Sequence, residues 1–454
     1  MILFPLIAEA QLDPGSYFPL KSAWKYIGDK GFSEGEGYYI SLAFGPDGHP
    51  YVAYTDLMHY LRVTVMKFDG TQWVNIGSPG FSGDTTEGIS LAFSPTGQPF
   101  VAYGDWKNSP EPAVMRFDGY QWVYVGPPGF ANRWMYSSLA FGPSGEAYIA
   151  FNDYSDSSKC SVMKFDGTNW IYVGNKGFSE GFIGFVSLKF RPSDGKPYVA
   201  FGDFGNSGKA TVMKLDGTDW VNVGNAGFSA GRTDYISLSF NPAGQPCVAF
   251  EDSGNSYKAT AMKFDDTNWT YIGTPGFSEG TVWFTCLAFT PSGGPLVAYC
   301  DHGTGNGMLK QFDGTNWVDV GEGGFAPGFP DFVSLAMSPS GTPYVAFDVL
   351  NIGVVPYGVT VMKHDSVYSG IDHEKKSNIT LTPNPVKETL TIGLPDSNGA
   401  IVFIEICDIT GKKIYKTQSP ERRIMVNTEN FPSGIYLVKI KTDNSEYNGK
   451  FSKT

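Results

Sequence analysis

From residue 24 to residue 365 the chain alternates short apolar runs with polar turns rich in Gly, Pro and Asp, always in one order. A Ser-Leu-Ala-Phe run or close variant starts at Ser41, Ser90, Ser138, Ser187, Ser237, Cys286 and Ser334. A Pro/Gly turn follows, as at Pro46–Gly48, and leads to a Tyr-Val-Ala-Tyr run such as Tyr51–Tyr54. A longer polar loop then leads to Val-Met-Lys-Phe-Asp-Gly, as at Val65–Gly70, and on to Thr-x-Trp. The cycle ends on W-x-x-[VI]-G-x-x-G-F, at Trp24, Trp73, Trp122, Trp170, Trp220, Trp269 and Trp317. These tryptophans are 49, 49, 48, 50, 49 and 48 residues apart. Each run is β-branched, aromatic or small and is bounded by turn residues, which predicts a strand. The Asp-Gly step predicts a tight hairpin between the third and fourth strands. The runs are apolar throughout and do not alternate, as expected of sheets covered on both faces.

Four strands repeating every 40–50 residues or so are the mark of propeller blades. The sequence is therefore read as all-β: a seven-bladed β-propeller, without the motifs of a particular subtype. The parts are out of phase at the ends. The chain opens on a Trp run (Trp24–Gly28) and closes on a triplet (Ser334–Asp365) that lacks one. Pairing them predicts a one-plus-three strand closure, which removes two free sheet edges. Ser-Leu-Ala-Phe is then the innermost strand and the Trp run the outermost.

This order puts the two tight turns on one face and the two long loops on the other, and variable loops on a rigid scaffold are where binding usually lives. Three sets of residues lie on the long-loop face. An Asp follows the second strand at Asp56, Asp105, Asp153, Asp203, Asp252 and Asp301, with Asp348 one step early. These suit either Asx-turns that cap backbone N–H groups or an acidic ring holding sugar hydroxyls. No D-x-D-x-D-G run supports a calcium loop, so neither a metal nor a cofactor is expected. An aromatic stands two residues before each inner run, at Tyr39, Tyr136, Phe185, Tyr235, Phe284 and Phe332, with Gly88 the exception. That set suits packing between blades or a stacking platform at the channel mouth. The third set does not repeat: Tyr38, Trp106, Trp134, Tyr154, Tyr257, Trp283 and Tyr357. Of ten Trp, seven mark the outer strands, and Trp106, Trp134 and Trp283 fall in long loops of this one face. An aromatic present in one loop only has no repeat-wide packing role, and exposed aromatics favour interfaces.

Composition narrows the function. The 454 residues include 56 Gly and 15% aromatics, with 17% charged residues and a net charge of −12. Such a chain is no partner for nucleic acid, which needs clustered Lys and Arg, and no apolar run reaches the roughly 18 residues of a membrane span. The five Cys are scattered and are expected to be free thiols. Cys286 and Cys300 flank the Pro291–Gly294 turn symmetrically, a spacing that sets them opposite each other across two strands. No H-E-x-x-H or G-x-S-x-G stands in the sequence. Of the five His, only His59 and His302 fall on the long-loop face. A polysaccharide-degrading enzyme, a glycoside hydrolase or lyase using them with a top-face Asp, is the alternative to a non-enzymatic, monomeric binding protein.

The ends speak of export. Met1–Ala8 is apolar and runs into Ala8-Glu9-Ala10, like the back half of a signal peptide without its basic start; residues 1–20 are read as that segment and 21–370 as the propeller. After a polar linker at 371–378 come Thr382-Pro-Asn-Pro-Val386, Asp408-Ile-Thr-Gly-Lys412, Ser433-Gly-Ile-Tyr-Leu-Val438 and a basic terminus. Residues 379–454 thereby resemble the C-terminal sorting domain of the type IX (Por) secretion system. The resemblance implies a small β-sandwich, passage through the periplasm by that machinery, and a cargo secreted or held at the outer-membrane surface. The expected partner of the long-loop face is a glycan or a surface protein.

Overall fold

The structure, a computed structural model, describes residues 24–106, 111–131, 136–349, 358–365, 380–393, 402–408, 413–419, 421, 423–441 and 446–454. Trp134, Tyr357, the signal-like segment and the linker lie outside the described residues. The chain divides into two compact units, one ending at Val367 and one beginning at Tyr368.

The first unit is the seven-bladed propeller. Blade 1 runs outward through Gly37–Phe44, Pro50–Asp56, Arg62–Phe68 and Trp73–Asn75. Blades 2 to 6 repeat this order, their inner strands being Thr86–Phe93, Ser137–Phe141, Ile183–Phe190, Thr233–Phe240 and Val282–Phe289. Blade 7 takes Pro330–Met337, Pro343–Val349 and Thr360–His364 from the end of the repeat and Trp24–Tyr26 from its start. Trp24 faces His364 and Tyr26 faces Met362, antiparallel, so the one-plus-three closure is the one the phase of the repeat predicts.

Two rings of hydrogen bonds explain why the repeated residues recur. In the outer ring each Trp indole donates to a carbonyl at the end of the preceding blade's outer strand. Trp73 Nε1 reaches Ile27 O at 2.7 Å, Trp220 reaches Val173 O at 2.7 Å, and Trp24 closes the circle on Val320 O at 3.0 Å. The Phe of Gly-Phe stacks on the next blade's Trp, with ring centroids 4.2 Å apart for Phe32 and Trp73 and 4.1 Å for Phe228 and Trp269. The Gly of Val/Ile-Gly is needed twice over: Gly28 has φ +69°, and a Cβ there would stand 2.9 Å from Trp73 Cδ1.

In the inner ring the Ser of each Ser-Leu-Ala-Phe run accepts from the next blade's Leu N–H. Leu91 N–H donates to Ser41 Oγ, Leu139 to Ser90 and Leu188 to Ser138, each at 3.0 Å, and Leu42 N–H returns to Ser334 Oγ at 3.0 Å. The innermost strand has no fifth strand beside it, so these hydroxyls satisfy N–H groups that would otherwise be orphaned. In blade 6 Cys286 takes the Ser position, and its thiol donates to Val333 O at 3.3 Å. Ser187→Ala leaves Leu238 N–H without its acceptor at 3.1 Å. It is expected to cost about 1–3 kcal/mol, read by chemical denaturation. A cost indistinguishable from zero would remove the inner ring from the stability of the fold.

All five Cys are free. Cys286 does not face Cys300: it pairs with Ala298, and Cys300 pairs with Trp283. Phe289 opposite Pro295 centres the hairpin on Ser292, one residue short of the symmetric turn that the spacing suggested.

The second unit is the small β-sandwich. One sheet holds Thr380–Thr382, Thr389–Gly393 and Arg423–Asn427; the other orders Lys413–Ser419, Val402–Asp408, Gly434–Lys441 and Glu446–Lys453. Both sheets contribute to one core, in which Leu390, Ile392 and Val426 meet Ile404, Val438 and Phe451. Among the described residues no helix is long and apolar enough to cross a membrane.

Candidate functional site

The long-loop face is where inner strands begin and second strands end. Asp56, Asp105, Asp153, Asp203, Asp252 and Asp301 close the second strands there, and all are buried. Asp203 accepts from Gly205 N–H at 3.0 Å and Asn206 Nδ2 at 2.9 Å. Asp252 accepts from Gly254 N–H at 3.0 Å and, in the other long loop of its blade, from Gly231 N–H at 3.0 Å. Asp301 does the same with Gly303 N–H at 2.8 Å and Gly280 N–H at 3.1 Å. Asp153 accepts from Ser155 N–H at 3.0 Å and Tyr172 Oη at 2.9 Å, and Asp56 from Met58 N–H at 3.0 Å. Asp348, one residue early in sequence, accepts from Gly37 N–H at 2.6 Å. Asp203, Asp252 and Asp301 stitch loop to loop, and the bonds from the N–H two residues on at Asp56, Asp153, Asp203, Asp252 and Asp301 are the Asx-turn geometry. They frame the face without presenting oxygens to solvent.

The repeated aromatics do converge. Tyr136, Phe185, Tyr235, Phe284, Phe332 and Tyr39 follow one another around the axis, with successive ring centroids 4.4, 4.4, 4.8, 5.2 and 5.1 Å apart. Gly88 holds the seventh position, between Tyr39 and Tyr136. With the apolar layer beneath, which includes Ile40, Ile89, Ile236 and Val333, they line a cavity of about 250 Å³. Their backbone is unusual: φ is +52° at Tyr39, +29° at Phe185, +52° at Tyr235, +58° at Phe284 and +51° at Phe332, against +64° at Gly88. For a bulky residue such φ values are genuine outliers. The pairing with the second strand slips here, between Tyr38 and Ser41 in blade 1 and between Trp283 and Cys286 in blade 6. A bulge of this kind re-aims a side chain, and in blades 1, 4, 5, 6 and 7 it turns an aromatic toward the axis.

The residues before these aromatics and before Gly88 form a mixed rim: Tyr38, Glu87, Gly184, Asp234, Trp283 and Asp331. Trp283 is 43% exposed and stands over His302, ring centroids 4.1 Å apart. The His302 Nε2 is buried with no hydrogen-bond partner among the described residues. Tyr38 Oη donates to Glu36 Oε2 at 2.8 Å; that bond, with burial and nearby acids, pushes the phenol up to about 12. Trp283 and Tyr38 flank blade 7 through Phe284 and Phe332. Trp106, Tyr154 and Tyr257 are exposed on the loops of blades 2, 3 and 5 of the same face. His59 lies with Nδ1 2.9 Å from Asp56 Oδ2.

Two polar residues go beyond those singled out in the sequence. Glu251 is buried opposite Asp234 in the sheet of blade 5, and Arg232 Nη2 lies 3.0 Å from Asp234 Oδ1. Burial first, and the Asp234 charge second, push the Glu251 carboxyl up to about 7. Lys189 stands in Ser187-Leu-Lys-Phe190, where the other blades carry Ala or Ser. Both were visible as single departures from the repeat. Among the described residues no three His, Cys, Asp or Glu side chains converge as metal ligands would.

The raised Glu251 value has a signed consequence. The folded state holds the proton more tightly than the unfolded chain, whose Glu titrates near the usual 4.5. Stability is therefore lost as pH rises from about 4.5 through about 7. Glu251→Gln is expected to flatten that fall, gaining on the order of 2 kcal/mol on the wild type between pH 5 and pH 8. Parallel pH–stability curves for the two proteins would contradict this.

Residues 380–454 match the model of the secretion system C-terminal sorting domain. That tail is the export signal of the type IX system, so this is an exported protein, secreted or held at the cell surface. No curated protein matches the sequence. Solved structures of similar fold include the polysaccharide lyase Uly1, 11% identical over 72% of this chain and 89% of that one, with a TM-score of 0.48. An ulvan lyase bound to -[GlcA(1-4)Rha3S]- is 12% identical over 74% and 94% of the two chains, TM-score 0.46. The Aleuria aurantia lectin, in complex with Fucalpha1-6GlcNAc, is 14% identical over 66% and 98%, TM-score 0.45. Function lives in sites and not in folds, so these likenesses assign nothing to the mouth residues.

Proposed function

We propose that this exported protein is a binding protein whose propeller takes a glycan at the aromatic mouth of its channel. One observation carries the reading: five bulky aromatics sit at positive φ around a single cavity. Each such backbone costs about 1–3 kcal/mol, whereas an aromatic pair returns about 0.5–1.5 kcal/mol beyond its buried area. Ring pairing by itself does not return that cost, and Gly88 shows the strain-free solution that one blade uses. Aromatic faces around a concave apolar site suit the C–H faces of sugar rings, while the carboxyls and Tyr38 of the rim suit their hydroxyls. Trp283, Trp106, Tyr154 and Tyr257, with Trp134 by sequence, extend the contact outward over the loops. The inward-turned Asp set supports those loops.

A catalytic reading has one observation of its own: a buried carboxylic acid near 7 at Glu251, the range a general acid needs, with His302 after the second strand of the next blade. A glycan array followed by a reducing-end assay on the glycans retained separates the two. Retention without new ends supports binding; new ends that disappear in Glu251→Gln would replace it with hydrolysis or lysis. No retained glycan would remove both.

A further inference from the structure

We propose that the channel directly beneath the mouth is a subsite for the carboxylate of an acidic sugar, with the Lys189 ammonium as its counter-charge. The proposal rests on the glycan reading above and names the class of sugar.

The third residue of each inner run faces the channel. Ala43, Ala92, Ala140, Ser239, Ala288 and Ala336 belong to the innermost strands, yet all are touched by solvent. Innermost strands border the channel, so their exposed positions open toward it. Lys189 occupies the same position on the innermost strand of blade 4 and is the most exposed of the seven. Those two facts together describe a side chain inside a water-filled lumen. Its enclosure lowers its proton affinity. Among the described residues no carboxylate and no hydrogen-bond acceptor pairs with it. It acts electrostatically on the thiol of Cys286, which lines the floor of the 250 Å³ cavity. An ammonium held in the lumen without a counter-charge is open to an anion, which would supply what the protein does not.

The rim defines what carries the anion. Glu87, Asp234 (with Arg232 Nη2 3.0 Å from its Oδ1) and Asp331 stand one residue before mouth positions, and their carboxyls can accept from sugar hydroxyls, which a bare anion lacks. A uronic-acid sugar meets each layer in turn: its hydroxyls donate to the rim carboxyls, its ring faces the aromatics, and its carboxylate continues to Lys189. The cavity is smaller than the ~300–1,000 Å³ of pockets for drug-sized ligands, which suits one sugar residue rather than several.

The test is calorimetric titration of the whole protein with glucuronate, with glucose as the neutral arm and acetate as the bare-anion arm. Lys189→Ala restores the residue that five other blades already carry, so folding is at little risk, and Lys189→Arg keeps the charge. The expected result is glucuronate binding that Lys189→Ala weakens at least about tenfold, that Lys189→Arg retains, and glucose binding that neither changes. Equal glucuronate affinity in wild type and Lys189→Ala overturns the subsite while leaving the glycan reading standing, as does binding of glucose with none of glucuronate. Acetate bound as tightly as glucuronate, and lost with Lys189→Ala, overturns the sugar assignment. Failure of every sugar in the glycan array overturns the glycan reading and the subsite with it.

Discussion

Deleting Trp24–Gly28 unfastens the ring and is expected to take away more than 5 kcal/mol, a large share of the roughly 5–15 kcal/mol that keeps a domain folded. The segment supplies the whole fourth strand of blade 7, paired to Met362–His364. Trp24 is buried, donates its indole N–H to Val320 O, and packs edge-on against Phe325 at 5.6 Å between centroids. Ile27 is buried too, and its N–H reaches Val361 O at 2.9 Å. Trp24→Ala alone should cost about 3–5 kcal/mol from the cavity and lost burial. Trp73→Ala should cost a similar amount inside a ring that stays closed. The deletion differs in kind: it also bares the edge of Thr360–His364, so it should add concentration-dependent association. Thermal and chemical denaturation read the first effect and light scattering the second. A melting temperature unchanged by the deletion would refute the closure.

The second large effect is on binding. Tyr235→Gly/Phe284→Gly copies at two blades what Gly88 does in blade 2. Glycine adopts φ near +52° and +58° freely, so relief of strain offsets much of the lost ring packing, and the fold should survive with only a small change in melting temperature. The stacking surface goes. With about 2 kcal/mol or more at stake for each central aromatic, glycan affinity should fall at least about a hundredfold. Trp283→Ala, at the rim, should cost less than the pair. A double variant that binds as the wild type does would put the ligand elsewhere.

The parts of the fold legible in the sequence are those the repeat states seven times. Trp24 and Ser334 stand at opposite ends of the repeat, and their phases alone require the closure, because each supplies the part the other lacks. The Asp positions were legible as periodic, and a periodic residue serves the blade, as Asp252 and Asp301 do. What the pattern hides is backbone conformation. Nothing in Tyr235 or Phe284 announces a positive φ, since such residues normally avoid it, and only Gly88 at the equivalent position hints at it. Lys189 and Glu251 were visible as letters, yet a near-match to Ser-Leu-Ala-Phe reads as another strand, and only the channel geometry gives the odd charge meaning. The Cys286–Cys300 pairing failed because a one-residue shift in a hairpin's centre moves the partner by two.

The most direct test of a ligand at the channel mouth is hydroxyl-radical footprinting of the whole protein with and without a glycan retained on the array. Tyr39, Tyr235 and Trp283 should lose reactivity when the glycan is added, while Tyr26, Tyr124 and Tyr271, exposed on the outer strands, should keep theirs. Protection of the outer-strand tyrosines with the mouth still reactive would contradict the account.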